Sequence, residues 1–356
     1  MVKKRKVNNL LVTGGAGFIG SAFIRYVLNQ VPSFQGTCVN LDLLTYAGNL
    51  ANLREVDKDP RYKFHQGNIC DQVLVEKLCT EYRIDTIIHF AAESHVDRSI
   101  TGPQAFLETN ILGTFHLLEV VRRNPHLHFH HVSTDEVYGC LGETGMFTEE
   151  TPYHPNSPYS ASKASSDHFV RAYGTTYGLS ICISNCSNNY GPYQFPEKLI
   201  PLMILNCLNK QSLPVYGKGG NIRDWLYVDD HAKALWMLLE YSSKGDTYNI
   251  GGEQEWKNID LVYEIIKVVA KIRGEDPKTF EGLIAYVQDR PGHDFRYAID
   301  CTKIKSEIGW KPDHNFMQGL EETVKWYLHH RPQEEAVHGM ADGHFIDSSL
   351  FAADRR

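Results

Sequence analysis

The chain lacks any long apolar run, and this absence excludes a membrane-spanning helix from the expected architecture. None of its 356 residues belongs to a stretch that approaches the roughly 20 consecutive apolar residues needed to cross a bilayer. Behind the basic residues 3–6, the first apolar stretch is broken at once by Thr13-Gly14-Gly15, so no secretory signal peptide is expected either. These absences predict a cytoplasmic protein with no membrane partner.

Cysteines with metal-binding or redox spacing are also absent. The chain has eight cysteines, but no two of them form a Cys-x-x-Cys pair. Neither a disulfide framework nor a metal site is therefore expected, and we predict reduced thiols throughout. The cysteines are Cys38, Cys70, Cys79, Cys140, Cys182, Cys186, Cys207 and Cys301.

Basic charge is not in excess. The chain carries 36 Lys and Arg against 43 Asp and Glu, a net charge of −7, whereas a protein that binds nucleic acid through bulk charge is usually basic. No nucleic-acid partner is expected. The 28 Gly and 15 Pro are too few for a collagen-like or low-complexity chain, and the 42% of hydrophobic residues is typical of a folded globular protein.

The chain does contain a regular alternation of short apolar runs and longer amphipathic segments. Continuous apolar strands that alternate with helices predict a parallel sheet covered on both faces, an α/β Rossmann-like doubly wound fold. We expect this domain over residues 1–190, with its sheet completed by segments near 225–252. A smaller, sequence-interleaved C-terminal lobe is expected mainly over 191–330, including a loop at 216–230. The tail, 331–356, is expected to be poorly ordered.

A glycine-rich turn follows the first predicted strand. Gly14, Gly17 and Gly20 form a Gly-x-x-Gly-x-x-Gly pattern where the strand meets a helix. Glycines let the backbone approach a pyrophosphate, and the helix N-terminus offers free N–H groups to the phosphates. Asp42 ends the second predicted strand, where a carboxylate accepts hydrogen bonds from ribose hydroxyls and repels a 2′-phosphate. The pattern predicts a dinucleotide site that takes NAD rather than NADP.

A tyrosine and a lysine with helical spacing supply candidate chemistry. Tyr159 and Lys163 lie four residues apart, so a helix places both side chains on one face. The positive charge of Lys163 is expected to lower the pKa of Tyr159, which can then take a proton from a substrate hydroxyl while hydride leaves the same carbon. Chance Tyr-x-x-x-Lys pairs are common, but one that follows a dinucleotide turn indicates an oxidation step.

Together these motifs resemble those of the extended short-chain dehydrogenase/reductases, which include sugar-nucleotide epimerases, decarboxylases and dehydratases. The deciding segment is Thr134-Asp135-Glu136, because epimerases of this family typically carry small or hydroxyl residues where this chain has two carboxylic acids. Alcohol oxidation needs one base, which Tyr159 supplies, so two further acids indicate additional proton transfers. Both reach one pocket only if the strand ends before them, since successive strand residues point to opposite faces. A helix-capping Asp beside a solvated Glu is the alternative.

The chain is most similar in these segments to the 4,6-dehydratases of that family. The resemblance covers about residues 7–330, and further motifs that carry it lie at residues 42–50, 91–99, 187–201, 223–228 and 289–297. It implies a hydro-lyase that oxidises a sugar at C4, eliminates water across C5 and C6, and returns hydride to C6. NAD would be tightly bound and recycled in each turnover. The implied substrate is the sugar nucleotide dTDP-glucose, and the implied assembly is a homodimer through helices at 104–123 and 161–177.

The resemblance also implies residue roles. Tyr159 would deprotonate the 4-hydroxyl with help from Lys163, Thr134 would hydrogen-bond the 4-oxygen, Glu136 would remove the C5 proton, and a protonated Asp135 would donate to the departing 6-hydroxyl. The implied NAD contacts are Gly14, Gly17, Phe18, Ile19, Gly20, Asp42, Thr45, Asn68, Ile69, Ala91, Tyr159 and Lys163. The implied contacts with the sugar nucleotide are Ser94, His95, Thr134, Asn188, Glu197, Lys198, Leu199, Arg223, Asn258, Arg290 and His293.

Some of these residue roles, and the function itself, have alternative interpretations. Asn68 stands where the family often has an Asp that accepts a hydrogen bond from the adenine amino group, and its carbonyl oxygen can still accept one. For Arg223 the alternative is a salt bridge to Asp224 or Asp229, and for His293 it is a structural role. Three alternative functions remain: a UDP-glucose 4,6-dehydratase, a sugar-nucleotide 4-epimerase and a catalytically silent NAD-binding sensor. The first remains because thymine and uracil differ by one methyl group, which is worth about 1–3 kcal/mol of binding free energy in an apolar pocket.

Overall fold

The computed structural model describes residues 4–330, so the predicted poorly ordered tail, 331–356, lies outside the described residues. The strands are β1 (Leu10–Thr13), β2 (Cys38–Asp42), β3 (Tyr62–Gln66), β4 (Thr86–His89), β5 (His128–Thr134), β6 (Ser180–Cys186), β7 (Asn188–Tyr190), β8 (Leu213–Tyr216), β9 (Ile222–Tyr227), β10 (Thr247–Ile250), β11 (Glu255–Lys257) and β12 (Ile284–Val287). The helices are α1 (Phe18–Gln30), α2 (Gln72–Glu81), α3 (Val96–Thr101), α4 (Gln104–Phe106), α5 (Thr114–Arg123), α6 (Pro158–Tyr177), α7 (Leu199–Asn209), α8 (Val228–Tyr241), α9 (Asn258–Arg273), α10 (Lys278–Glu281), α11 (Thr302–Ile308) and α12 (Phe316–His329).

The main sheet has seven strands in the order β10-β6-β5-β4-β1-β2-β3, and every pairing is parallel. Both β1 and β5 are buried along their whole length, as a sheet covered on both faces requires. The strand order reverses at β1, which has β2 on one side and β4 on the other. Ligands of such sheets bind in the crevice at the carboxyl ends of the strands beside this point. The predicted Rossmann-like fold is confirmed.

A second lobe contains the sheet β11-β9-β7 and the parallel pair β12-β8. Its core is made largely by α7, α9 and α12, which bury Ile204, Ile265 and Val324 completely. Of the segments near 225–252, β10 joins the main sheet but β9 does not. The predicted loop at 216–230 is wrong, because it contains β9. Two buried polar residues, Arg223 and Asp224, interrupt the apolar run by which that strand would be recognised.

Two local features position the candidate catalytic groups. Helix α6 begins with a capping box, in which the side chains of Ser157 and Ser160 each accept a hydrogen bond from the other residue's backbone N–H, and Pro158 occupies its first position. Strand β5 ends at Thr134, and a 3₁₀ turn over Asp135–Tyr138 follows it. The first turn of α6 and the end of β5 therefore both have a fixed geometry. Within residues 4–330, no helix is long and apolar enough to span a membrane.

Candidate active site

A cleft of about 330 Å³ lies at the carboxyl ends of β1, β2, β4, β5 and β6. All twelve residues predicted from the sequence to contact NAD line this cleft. They come from the glycine turn, the ends of β2 and β4, the segment after β3, and α6. The fold therefore brings the expected cofactor residues together in one place.

The glycine turn fits a diphosphate. Gly14 has a φ of +72°, and a Cβ there would lie 2.5 Å from the backbone nitrogen of Ala91, so only glycine allows this approach of β1 to β4. A Cβ on Gly17 would instead meet just one atom, the carbonyl oxygen of Gly14 at 3.3 Å. Helix α1 begins at Phe18, and no side chain caps it. Its first N–H groups are therefore left for an anion.

The Asp42 carboxylate is fixed by the backbone around it. Its Oδ2 accepts a hydrogen bond from the N–H of Ala16 at 2.9 Å, and its Oδ1 accepts one from that of Leu44 at 2.8 Å. Each oxygen keeps a lone pair for a ribose hydroxyl, and among the described residues no arginine lines the cleft to hold a 2′-phosphate. Asn68 uses its Oδ1 to accept from the N–H of Cys70 at 2.9 Å, which leaves one lone pair on that oxygen. These residues fit NAD.

The two carboxylic acids follow the end of β5, as the sequence analysis required. Thr134 accepts a hydrogen bond through Oγ1 from the backbone N–H of Glu136 at 3.3 Å, which caps the turn. Glu136 and Thr134 line the cleft, whereas Asp135 lies behind them with 1% of its surface exposed. Oδ2 of Asp135 has no hydrogen-bond partner among the described residues. It is therefore a buried polar atom with an unused bonding capacity.

Burial disfavours the charged forms of both acids. It raises the pKa of Asp135 well above its ordinary value, and the neighbouring charge of Glu136 adds to this effect. It also raises the pKa of Glu136, but the positive charges of Arg290 and Arg223 oppose it there. Asp135 is thus the group held as an acid, and Glu136 is the one better able to carry a negative charge.

Tyr159 and Lys163 share one face of α6 and line the cleft. Nζ of Lys163 donates a hydrogen bond to the carbonyl oxygen of Val132 at 2.9 Å. Burial raises the pKa of Tyr159 well above its ordinary value, and the charge of Glu136 raises it further. The pKa of Tyr159 is therefore raised on balance, and the expectation that the charge of Lys163 lowers it stays a prediction. Burial also lowers the pKa of Lys163 itself.

The expected substrate contacts divide into two groups. Those that line the cleft are Ser94, Thr134, Asn188, Glu197 and Lys198. Nζ of Lys198 donates to the carbonyl oxygen of Ser94 at 2.9 Å, and Oδ1 of Asn188 is buried without a partner among the described residues. Those that do not line it are His95, Leu199, Arg223, Asn258, Arg290 and His293. The structure therefore does not place these six residues in the same cleft as the cofactor residues.

The second group is held by other contacts. Leu199 packs against the core of the second lobe, and Asn258 begins α9 with a buried Oδ1 that has no partner among the described residues. His95 caps α3 through its ring, with Nε2 at 3.6 Å from Oε2 of Glu197. Nδ1 of His293 is hydrogen-bonded to Oδ1 of Asp289 at 2.6 Å, a contact that agrees with the structural alternative.

The two arginines lie near the acids although they do not line the cleft. Arg223 donates to the carbonyl oxygens of Ile222, Asp294 and Phe295, and its guanidinium lies 4.2 Å from the ring centre of Tyr297. The alternative of a salt bridge to Asp224 is wrong, because Asp224 accepts instead from the backbone N–H groups of Gly252 and Gln254. No ion pair joins Arg223 to Asp229 within the described residues. Arg290 approaches Asp97, with Nη1 3.7 Å from Oδ1.

A cluster that was not predicted from the sequence lies at the rim of the cleft. We call it the strap, and it consists of Tyr46, Arg98, Phe195 and Glu197. The hydroxyl of Tyr46 donates to Oε1 of Glu197 at 3.0 Å, and the guanidinium of Arg98 lies 3.8 Å from the centre of the Tyr46 ring. Phe195 meets the same ring edge-on. These residues come from three distant segments, so only the presence of motifs at 42–50, 91–99 and 187–201 hinted at the contact.

Comparisons with known proteins agree with this geometry. A family model described as GDP-mannose 4,6 dehydratase matches residues 11–323. The chain is 52% identical to a dTDP-glucose 4,6-dehydratase of Escherichia coli, over 96% of this chain and 98% of that protein. It also resembles the crystal structure of a dTDP-glucose 4,6-dehydratase from Bacillus anthracis in complex with NAD, with a TM-score of 0.82 and 47% identity over 92% of this chain and 98% of that one. A UDP-glucose 4-epimerase of Thermotoga maritima shares the fold, with a TM-score of 0.80, 27% identity, and 90% and 99% coverage.

Proposed function

Because this chain belongs to the GDP-mannose 4,6 dehydratase family and its relatives are dTDP-glucose 4,6-dehydratases, we propose that it converts dTDP-glucose to dTDP-4-keto-6-deoxyglucose and water. The observation that carries the proposal is the pair Asp135 and Glu136 at the end of β5, beside Tyr159 and Lys163. An epimerase needs the tyrosine and the lysine. Elimination of water needs a further base and a further acid, and this chain provides both.

NAD is the proposed cofactor, held between the glycine turn and Asp42. When bound, it supplies reversible hydride transfer, from the sugar C4 and back to C6. Tyr159 takes the proton of the 4-hydroxyl as a phenolate, and Lys163 compensates the negative charge of that phenolate before the proton is transferred. Thr134 donates a hydrogen bond to the 4-oxygen. Because hydride is returned to the same sugar, no net oxidation occurs, and the cofactor stays bound through the turnover.

The two acids carry out the elimination. The 4-ketone makes the C5 proton acidic, and Glu136 removes it as the enolate forms. Asp135 is buried with its pKa raised, so it holds the proton that the 6-hydroxyl needs to leave as water. Breaking of the C6–O bond gives the unsaturated ketone. Addition of hydride at C6 and of a proton at C5 completes the product, so the only net change is the loss of one water.

The substrate end is proposed to lie between the main sheet and the second lobe. Lys198 and Asn188 line the cleft beside the acids, and the charges of Arg223 and Arg290 act on Glu136 from the second lobe. We assign the diphosphate to this positive region. Residues 1–190 with β10 would hold NAD, and residues 191–330 would mainly hold the nucleotide of the sugar.

A homodimer is proposed through the helical region 104–123 and residues 161–177 of α6. The helix predicted at 104–123 is interrupted by a π-helical segment, Leu107–Gly113, yet this region and α6 still expose large apolar side chains. These are Leu107, Leu112, Phe169 and Tyr177. Leu112→Glu is expected to shift the mass in solution from two chains to one, measured by light scattering. An unchanged mass would place the interface elsewhere.

The chain is further proposed to be cytoplasmic, with no nucleic-acid or membrane partner. All eight cysteines are free thiols in the structure, and the net charge is −7. Recovery of the native protein in the cytoplasmic fraction of its source cells tests the location.

Incubation of the purified protein with dTDP-glucose, and in parallel with UDP-glucose, tests the function. No NAD is added, so turnover also measures the retained cofactor. Alkali-induced absorbance of the 4-keto-6-deoxy sugar and a mass loss of one water are expected from dTDP-glucose, and Tyr159→Phe is expected to form neither. Product from UDP-glucose alone would overturn the assigned nucleotide base. No product even with added NAD would overturn the dehydratase assignment.

A further inference from the structure

A third ionisable side chain lies on the same face of α6 as the catalytic pair. Asp167 follows Lys163 by one helical turn, as Lys163 follows Tyr159. Its side chain is completely buried and does not line the cleft, so the proposed reaction makes no direct use of it. A charged carboxylate at such a depth requires specific partners.

The two oxygens of Asp167 have different surroundings. Oδ2 accepts hydrogen bonds from the hydroxyl of Ser133 at 2.8 Å, the hydroxyl of Tyr153 at 3.0 Å and Nδ2 of Asn185 at 3.4 Å. Oδ1 accepts no hydrogen bond among the described residues, and it lies 3.2 Å from Nε2 of His131. Three neutral donors therefore hold one oxygen in place, and the other lies within ion-pair distance of an imidazole.

The same imidazole nitrogen also faces the catalytic lysine. Nε2 of His131 lies 3.5 Å from Nζ of Lys163, and both side chains are buried. Lys163 forms no direct ion pair with a carboxylate within the described residues. The positive charge of Lys163 and the negative charge of Asp167 are therefore separated by one ring that can bond to either, donating to the carboxylate or accepting from the ammonium.

We propose that Asp167 is a positioning residue of the proposed reaction, which acts through His131 to keep the ammonium of Lys163 charged and in place beside Tyr159. The proposal rests on the proposed function for its role in turnover. Three other groups lie near this site among the described residues. Val132 offers its carbonyl oxygen to Nζ, Cys186 lies near Lys163 at the cleft wall, and the buried ring of His89 has its centre 5.2 Å from that of the His131 ring. None of them supplies the compensating charge of a carboxylate, so the ammonium depends on Asp167.

Asp167→Asn tests the proposal because it keeps the shape of the side chain and removes its charge. Without the carboxylate, Lys163 loses its proton at lower pH, so the alkaline limb of the kcat–pH profile should move down by about 1–3 units. The KM for dTDP-glucose and the bound NAD should change little. Asp167→Glu should restore part of the limb, and Ser133→Ala, which removes one hydrogen bond but no charge, should leave it in place.

A second readout separates this proposal from the proposed function. The titration of Lys163 can be followed without substrate by its ¹³Cε chemical shift in lysine-labelled protein, assigned with Lys163→Arg. If wild type fails to convert dTDP-glucose, the function fails, yet this titration still tests the charge of Lys163. Should Asp167→Asn not fold, His131→Gln is expected to shift the titration in the same direction. An unshifted titration in a folded variant, or failure of both variants to fold, would overturn the positioning role.

Discussion

Strand β5 carries buried ionisable side chains near both ends, and only one end opens onto the cleft. Near its amino end, ring nitrogens of His128 and His130 lie 2.9 Å from the hydroxyl oxygens of Ser180 and Ser184. Both histidines are enclosed between the sheet and its helices. After its carboxyl end, Glu136 faces the cleft. The amino end is thus buried without access to a ligand, whereas at the carboxyl end Asp135 is equally buried and Glu136 beside it lines the cleft.

The physical effect of burial is the same at both ends. It lowers the pKa of His130 to about 3 and raises the pKa of Asp135 well above its ordinary value, so both groups are held neutral. At the closed end a neutral imidazole serves packing and hydrogen bonding. At the open end the neutral acid, Asp135, is flanked by Thr134 and Glu136, which line the cleft, and we propose that its proton reaches a ligand there. A perturbed pKa therefore identifies an active site only together with access.

The largest test of this comparison is Glu136→Gln at the open end. We expect kcat for dTDP-glucose to fall by about 10²–10⁴-fold, because the C5 proton loses its base. The melting temperature and the bound NAD should be unchanged, since the amide occupies the same volume. His126→Gln, at an exposed position, is the matched control and should leave kcat alone. A large loss of stability in Glu136→Gln would instead show that Glu136, like the histidines at the amino end of β5, serves the fold.

Asp135→Asn separates the roles of the two acids. The amide can hydrogen-bond the departing 6-hydroxyl but cannot give it a proton, so kcat should fall by about 10²-fold, the lower part of the range for general acids. Exchange of the C5 proton with solvent should continue, because Glu136 is intact. Mass spectrometry of sugar recovered from heavy water measures this exchange. If exchange and elimination are lost together, the assignment of separate roles is wrong.

At the closed end the effect should be on stability instead. Because the pKa of His130 is lowered in the fold, the unfolded chain binds its proton first as the pH falls, and stability is lost between about pH 7 and pH 3. From pH 7 to pH 5 this histidine alone should cost about 2 kcal/mol of unfolding free energy. Urea unfolding at the two pH values measures it. His130→Gln should reduce the pH dependence, whereas an unchanged dependence would show that the proton binds elsewhere.

The sequence predicts what depends on neighbours along the chain and misses what depends on distant ones. The glycine turn, the end of β5 and the spacing of Tyr159 and Lys163 are local, so their placement at one cleft was foreseeable from pattern and fold. The pairing of His131 with Asp167 was not, because it needs the packing of α6 on β5. For the same reason the sequence suggested a salt bridge for Arg223, where the fold instead provides backbone carbonyls.

The smallest expected effect concerns the strap at the rim of the cleft. In Tyr46→Phe the hydrogen bond to Glu197 is lost while the ring stays under Arg98, so bound NAD should dissociate about 2–10-fold faster, the worth of one partly exposed hydrogen bond. Dialysis against a NAD-consuming enzyme measures the rate. Tyr193→Phe is the matched control, because it removes a similar bond to Glu55 outside the cleft. Equal rates in both variants would mean that the strap does not retain the cofactor. The open end of β5 would then differ from the closed end in its access to a ligand, but the strap would not hold that ligand in the cleft.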